Sequence, residues 1–73
     1  MKLMLMVKTN VCDEERCRKV PCKGVAVYLD GELKGLTDIS GCISFDMSYG
    51  EHQLRLVKDG CQHFYVSLVP RPS

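Results

Sequence analysis

Five cysteines stand among 73 residues, and they are the side chains best equipped for chemistry: Cys12, Cys17, Cys22, Cys42 and Cys61. Thiolates bind soft metals, form disulfides and act as nucleophiles. The first three follow a Cys-x4-Cys-x4-Cys spacing, and His63 adds an imidazole two residues after Cys61. That spacing is looser than the Cys-x2-Cys pair of most zinc sites. Three chemistries fit. In the first, Zn²⁺ is held by four thiolates, or by three thiolates and His63, and locks the loops of a small domain together. The candidate metal set is then Cys12, Cys17, Cys22, Cys42, Cys61 and His63, with zinc as the cofactor. In the second, one or two disulfides join Cys12 or Cys17 to Cys42 or Cys61, closing loops worth about 3–5 kcal/mol. An odd count leaves at least one thiol over. In the third, Cys42 and Cys61 are small buried hydrophobes and the loop thiols are free.

No other constellation reaches this level. The chain has no Gly-rich phosphate loop, no His-Glu-x-x-His and no Gly-x-Ser-x-Gly elbow. A Cys61–His63 nucleophile pair would need a pocket and an orienting third group, so no catalysis is expected. His52 is read as a packed or surface imidazole at the start of a strand. The loop Asp13-Glu14-Glu15-Arg16, with Arg18 and Lys19 after it, is mixed in sign and self-compensating. Ten basic against nine acidic residues leave a net charge of +1, which gives no electrostatic basis for binding nucleic acid or an acidic membrane. The apolar run Leu3–Val7 is too short for a secretory h-region or a membrane span, and the expected compartment is the cytoplasm.

The elements that must position these cysteines are strands. Apolar residues recur with period two rather than at helical spacings: Val25, Val27 and Leu29; Ile43 and Phe45; His52, Leu54 and Leu56; Phe64, Val66 and Leu68. Turn residues separate the runs: Asp30-Gly31, Asp38-Ile39-Ser40-Gly41, Ser48-Tyr49-Gly50 and Asp59-Gly60. Strands are expected near residues 2–8, 24–30, 33–37, 42–47, 51–58 and 61–69. They form one antiparallel β-sandwich domain over residues 1–69, followed by an extended tail, 70–73, whose prolines should not continue a ladder. With Leu3, Leu5 and Val7 inward, Met4 and Met6 face outward, where methionine often marks an interface.

The string Pro21-Cys22-Lys23-Gly24-Val25-Ala26-Val27-Tyr28-Leu29-Asp30-Gly31 resembles the opening of carboxypeptidase-regulatory-like and PEGA-type domains. The segment from Gly35 through Thr37, Asp38 and Gly41 to Phe45 is similar to their next motif. Tyr49-Gly50-Glu51-His52-Gln53-Leu54, with Asp59-Gly60-Cys61 after it, is similar to the one that follows. The resemblance covers residues 20–69 and implies a transthyretin-like (prealbumin-like) sandwich of six to seven strands, mostly non-catalytic in function. Cys22 and Cys61 depart from the family pattern.

Antiparallel succession puts the loop 9–23 and the turns 38–41 and 58–60 at one end of the sandwich. The turns 30–33 and 47–50 then lie at the other end. All five cysteines are thereby expected to gather at one pole. The function expected from these residues is a non-catalytic binding or structural module, with a cysteine-stapled loop end. It would engage a protein partner, or a second copy, through the Met4/Met6 face or an edge strand. The alternatives are a small zinc-binding protein whose cysteines are the functional site, and a thiol redox protein.

Overall fold

A computed structural model describes residues 1–61 and 63–72. Gln62, inside the expected strand 61–69, and Ser73, in the expected tail, lie outside the described residues. Among the described residues seven strands form two antiparallel sheets: β1 (Lys2–Cys12), β2 (Cys17–Pro21), β3 (Ala26–Leu29), β4 (Glu32–Leu36), β5 (Cys42–Asp46), β6 (Leu54–Val57) and β7 (Tyr65–Arg71). There is no helix among the described residues. The all-β sandwich class expected from the alternation is therefore the observed one.

β1 is the spine of the first sheet. Its residues Lys2–Met6 pair with both β5 and β7, and Lys8 pairs with both Pro21 and Tyr65. A residue has one neighbour on each side, so β7 flanks β1 on one side while β5 and then β2 follow each other on the opposite side. The joint between β5 and β2 falls at Val7, whose N–H donates to Gly41 O at 2.7 Å and whose carbonyl accepts from Cys22 N at 3.0 Å. A Cβ at position 41 would collide with that Val7 carbonyl, and Gly41 has φ +77°. Both conditions require glycine there. The second sheet has the order β4-β3-β6, with its hairpin turn carried by Asp30 (φ 51°) and Gly31 (φ 84°), the mirror-image turn that such residues favour.

The core lies between β1 and β3. Leu3, Leu5, Val7, Val25, Val27, Leu29 and Phe45 are buried, and Ile43, Met47, Leu56 and Phe64 pack on their margin. Inward Leu3, Leu5 and Val7 and outward, half-buried Met4 and Met6 match the expected phase of β1. Buried Thr37 ties the two sides of the β2–β3 connection: its hydroxyl donates to Cys22 O at 2.7 Å and accepts from Val25 N at 2.9 Å.

Three expectations are corrected. The loop 9–23 is for the most part a hairpin arm, because β1 runs on to Cys12 and β2 returns alongside it in the register Lys8↔Pro21 to Cys12↔Cys17. Its strands are polar on both faces and carry no alternation. This arm stretches the molecule to 43 × 25 × 21 Å. The tail does not leave the sheet: Pro70 and Arg71 belong to β7, opposite Leu3 and Lys2. Val7 turns its N–H and C=O toward β5 and β2, so alternation points those of Leu3 and Leu5 the same way, away from β7. Pro70, opposite Leu3, therefore has its nitrogen on the free edge, where a missing N–H costs the ladder nothing. Finally, His52 and Gln53 precede β6 instead of opening it.

Candidate functional site

The cysteines divide into three groups. Cys12 and Cys17 face each other at the tip of the arm and form a disulfide with a Cα–Cα distance of 4.0 Å. They occupy a pair whose amides point away from each other, the position where opposed strands come closest. The Asp13 N–H bonds to Arg16 O at 2.9 Å, and Asp13 Oδ1 accepts from the Glu15 and Arg16 amides at 2.9 Å each. These amide bonds, Arg16's first and then Glu15's, hold the Asp13 carboxyl below its ordinary pKa. The expected disulfides from Cys12 or Cys17 to Cys42 or Cys61 are thus replaced by a local one, because the hairpin already brings the two arm sulfurs together.

Cys42 stands across from Met6 on the outward face of the first sheet, with its thiol directed at Ser40 O, 3.6 Å away. Cys22 is buried, and Cys61 packs against the buried cluster that contains it. Turn polarity places Cys22, Cys42 and Cys61 at the expected end: Gly41 abuts Cys22, and Lys58 Nζ donates to Lys23 O. Cys12 and Cys17 lie farther along the same direction, out on the arm. No three His, Cys, Asp or Glu side chains converge to hold a metal ion among the described residues. His63 is exposed, and its carbonyl accepts from Thr9 Oγ1 at 3.3 Å. The zinc set read from the sequence is therefore not assembled. Two of its thiols are consumed in the disulfide, Cys42 faces the opposite side of the sheet from Cys22, and His63 is turned to solvent.

At the other end of the sandwich is a polar constellation that the sequence reading missed. His52 Nδ1 lies 2.5 Å from Asp30 Oδ2, its Nε2 lies 2.7 Å from Ser48 O, and Ser48 Oγ is 3.4 Å from Nε2. Asp30 Oδ1 accepts from Gln53 N at 2.9 Å, and Gln53 O accepts from Asp30 N at 2.8 Å. Serine, histidine and aspartate in contact invite comparison with a nucleophilic triad. While the ring is protonated, both nitrogens donate to these acceptors, and no lone pair is left for Ser48 Oγ. Asp30, then the Ser48 carbonyl, raises the His52 pKa. The Gln53 amide, then His52, lowers that of Asp30. The only sequence signal for this pair was Asp30 in its turn, 22 residues from His52.

The remaining feature is a strand without a cover. β4 lies against β5, which leaves β6 on the β7 side, yet β6 does not close over β7. An apolar cleft of about 170 Å³ opens between them, lined by Leu29, Phe45, Met47, His52, Leu54 and Leu68. All seven residues of β7 are exposed, and Val66, Leu68 and Val69 remain 41%, 49% and 39% accessible. Val66 and Leu68 keep the inward phase expected of them but have no opposing layer. No protein-family model, curated protein or solved structure matches this chain.

Proposed function

We propose that the chain is a non-catalytic protein-interaction module, a transthyretin-like sandwich of the carboxypeptidase-regulatory-like kind, which joins a second copy of itself through β7. The observation that carries this reading is the exposure of a full strand whose apolar residues lie on both faces. The amides of Tyr65, Ser67, Val69 and Arg71 are turned to β1, which leaves those of Val66 and Leu68 on the free edge. Two copies of β7 related by a twofold at Ser67 would set Val66 opposite Leu68 and satisfy both edges. The missing N–H of Pro70 limits how far the pairing extends. Such a contact is isologous, as a dimer requires. It would also bring Tyr65 and Val69, with Met4 and Met6 beside them, next to their symmetry mates.

Light scattering over a concentration series is the test. The protein is expected to pass from monomer to dimer, and Leu68→Pro, which deletes an edge donor and leaves the bonds to β1 intact, is expected to stay monomeric. A wild-type protein that is monomeric at the highest concentration would overturn the reading.

A further inference from the structure

We infer that Cys22 and Cys61 are a redox-active pair that closes into a second disulfide by exchange with a low-molecular-weight disulfide of the glutathione type. Cys22 leaves β2 at the joint with Gly41, its N–H fixed to Val7 O at 3.0 Å. Cys61 ends the tight 58–61 turn, where its N–H bonds to Lys58 O at 3.2 Å and it forms an isolated bridge with Lys58. The two segments are held against each other independently of the sulfurs. Lys58 Nζ donates to Lys23 O, next to Cys22, and also lies 4.0 Å from where a Gly24 Cβ would stand. Cys61 packs on the cluster that includes Cys22. Burial raises the Cys22 pKa; nearby Lys58 opposes this, and the neighbouring Cys61 thiol adds to it.

Their unequal exposure assigns the two roles. Cys61 is half-buried and reachable, whereas Cys22 is 5% exposed. The Cys61 thiolate attacks one sulfur of the external disulfide, whose S–S bond breaks, and the departing thiolate takes up a proton. Cys22 then gives its proton to water and attacks Cys61 Sγ, and the second thiol leaves. Two protein thiols are oxidised and one disulfide is reduced to two thiols, so atoms and electrons balance. The new bond ties the β2–β3 connection to the β6–β7 connection, two segments that otherwise meet through Lys58 and side-chain packing. Cys42, on the outer face of the sheet, takes no part.

The test is thiol mapping of the whole protein equilibrated with reduced and oxidised glutathione, quenched by alkylation, unfolded and digested. The expected product is a linked peptide containing Cys22 and Cys61, about 2 Da below the sum of its reduced parts, with Cys42 alkylated. Its formation is expected to raise the melting temperature by ~10 °C or more relative to Cys61→Ser treated identically. That variant should yield Cys22 free and should not gain stability. A lasting glutathione adduct on Cys61 beside an alkylated Cys22, a link from either residue to Cys42, or two free thiols under oxidising conditions would each overturn the assignment. The wild-type map alone decides the matter if the variant does not fold.

Discussion

Thr37 shows how much one buried polar side chain can do in a domain this small. Its hydroxyl is both donor and acceptor, to Cys22 O and from Val25 N, and Thr37 is only 3% exposed. Replacing it with valine keeps the shape and orphans both backbone groups away from water. Thr37→Val is therefore expected to cost about 1–3 kcal/mol in urea unfolding, with Thr37→Ser losing less because the hydroxyl remains. A valine variant as stable as the parent would show that water satisfies those groups. The same residues explain why part of the sequence pattern was legible. Thr37, Asp38 and Gly41 stand in one recognisable motif, and each has a local task. Thr37 bridges, and Asp38 Oδ1 receives the Ser40 and Cys42 amides at 2.9 and 3.0 Å. Gly41 passes where no Cβ fits. Motifs of this kind record backbone requirements, which is why they announce a fold and say little about a ligand.

At the scale of elements, legibility followed burial. The period-two pattern from Val25 into β3 placed Val25, Val27 and Leu29 in the core. Leu3–Val7, in contrast, is apolar on both faces and carries no such pattern, so the inward phase of Leu3, Leu5 and Val7 entered as a condition that the structure meets. The arm is solvated on both faces, so no alternation marks it. Its signal was of another kind, two cysteines flanking four turn-forming polar residues. In β7 the alternation gives Val66 and Leu68 their inward phase, but the half-buried strand it implies is exposed throughout, since the pattern reports which way a side chain points and not whether another layer lies over it. The arm also shows what its disulfide can contribute. Cys12 and Cys17 are five residues apart, and closing so short a loop removes little chain entropy, worth about 2 kcal/mol. Only the arm depends on that bond, because the sandwich core is made by other segments. Reduction is expected to speed amide exchange at Val11 and Arg18, which bond across the arm, while Leu5 and Val27 stay protected. Equal acceleration in the core would mean that the arm and the sandwich unfold as one unit.

For the whole molecule, the two ends of the sandwich are closed by different chemistry, and this divides their dependence on solution conditions. One end is held by Thr37, by Gly41 and by the Lys58 bond to Lys23 O. The other is held by an ion pair: His52 joins the 47–53 connection to Asp30 in the β3–β4 turn. His52 has its pKa raised above 6.5, so its contribution is complete below that value and fades as pH climbs through the raised one. Asp30 has its pKa lowered below 3.8, so its contribution is complete above 3.8 and fades as pH falls through the lowered one. The two windows overlap from pH 3.8 to 6.5, where the link is intact on both sides. Stability is expected to peak inside that interval and to decline through the neutral range as His52 loses its proton. No other described histidine has a carboxylate against its ring, so His52→Gln should abolish the neutral decline while leaving the acid limb, which still contains Asp30 with its Gln53 amide bond. Thermal melts of both proteins between pH 4 and 9 would decide it. A wild-type melting temperature that stays level from pH 6 to 9, or a variant that falls in parallel with it, would show that the 47–53 connection is held by Asp30 and the backbone without any contribution from imidazolium charge.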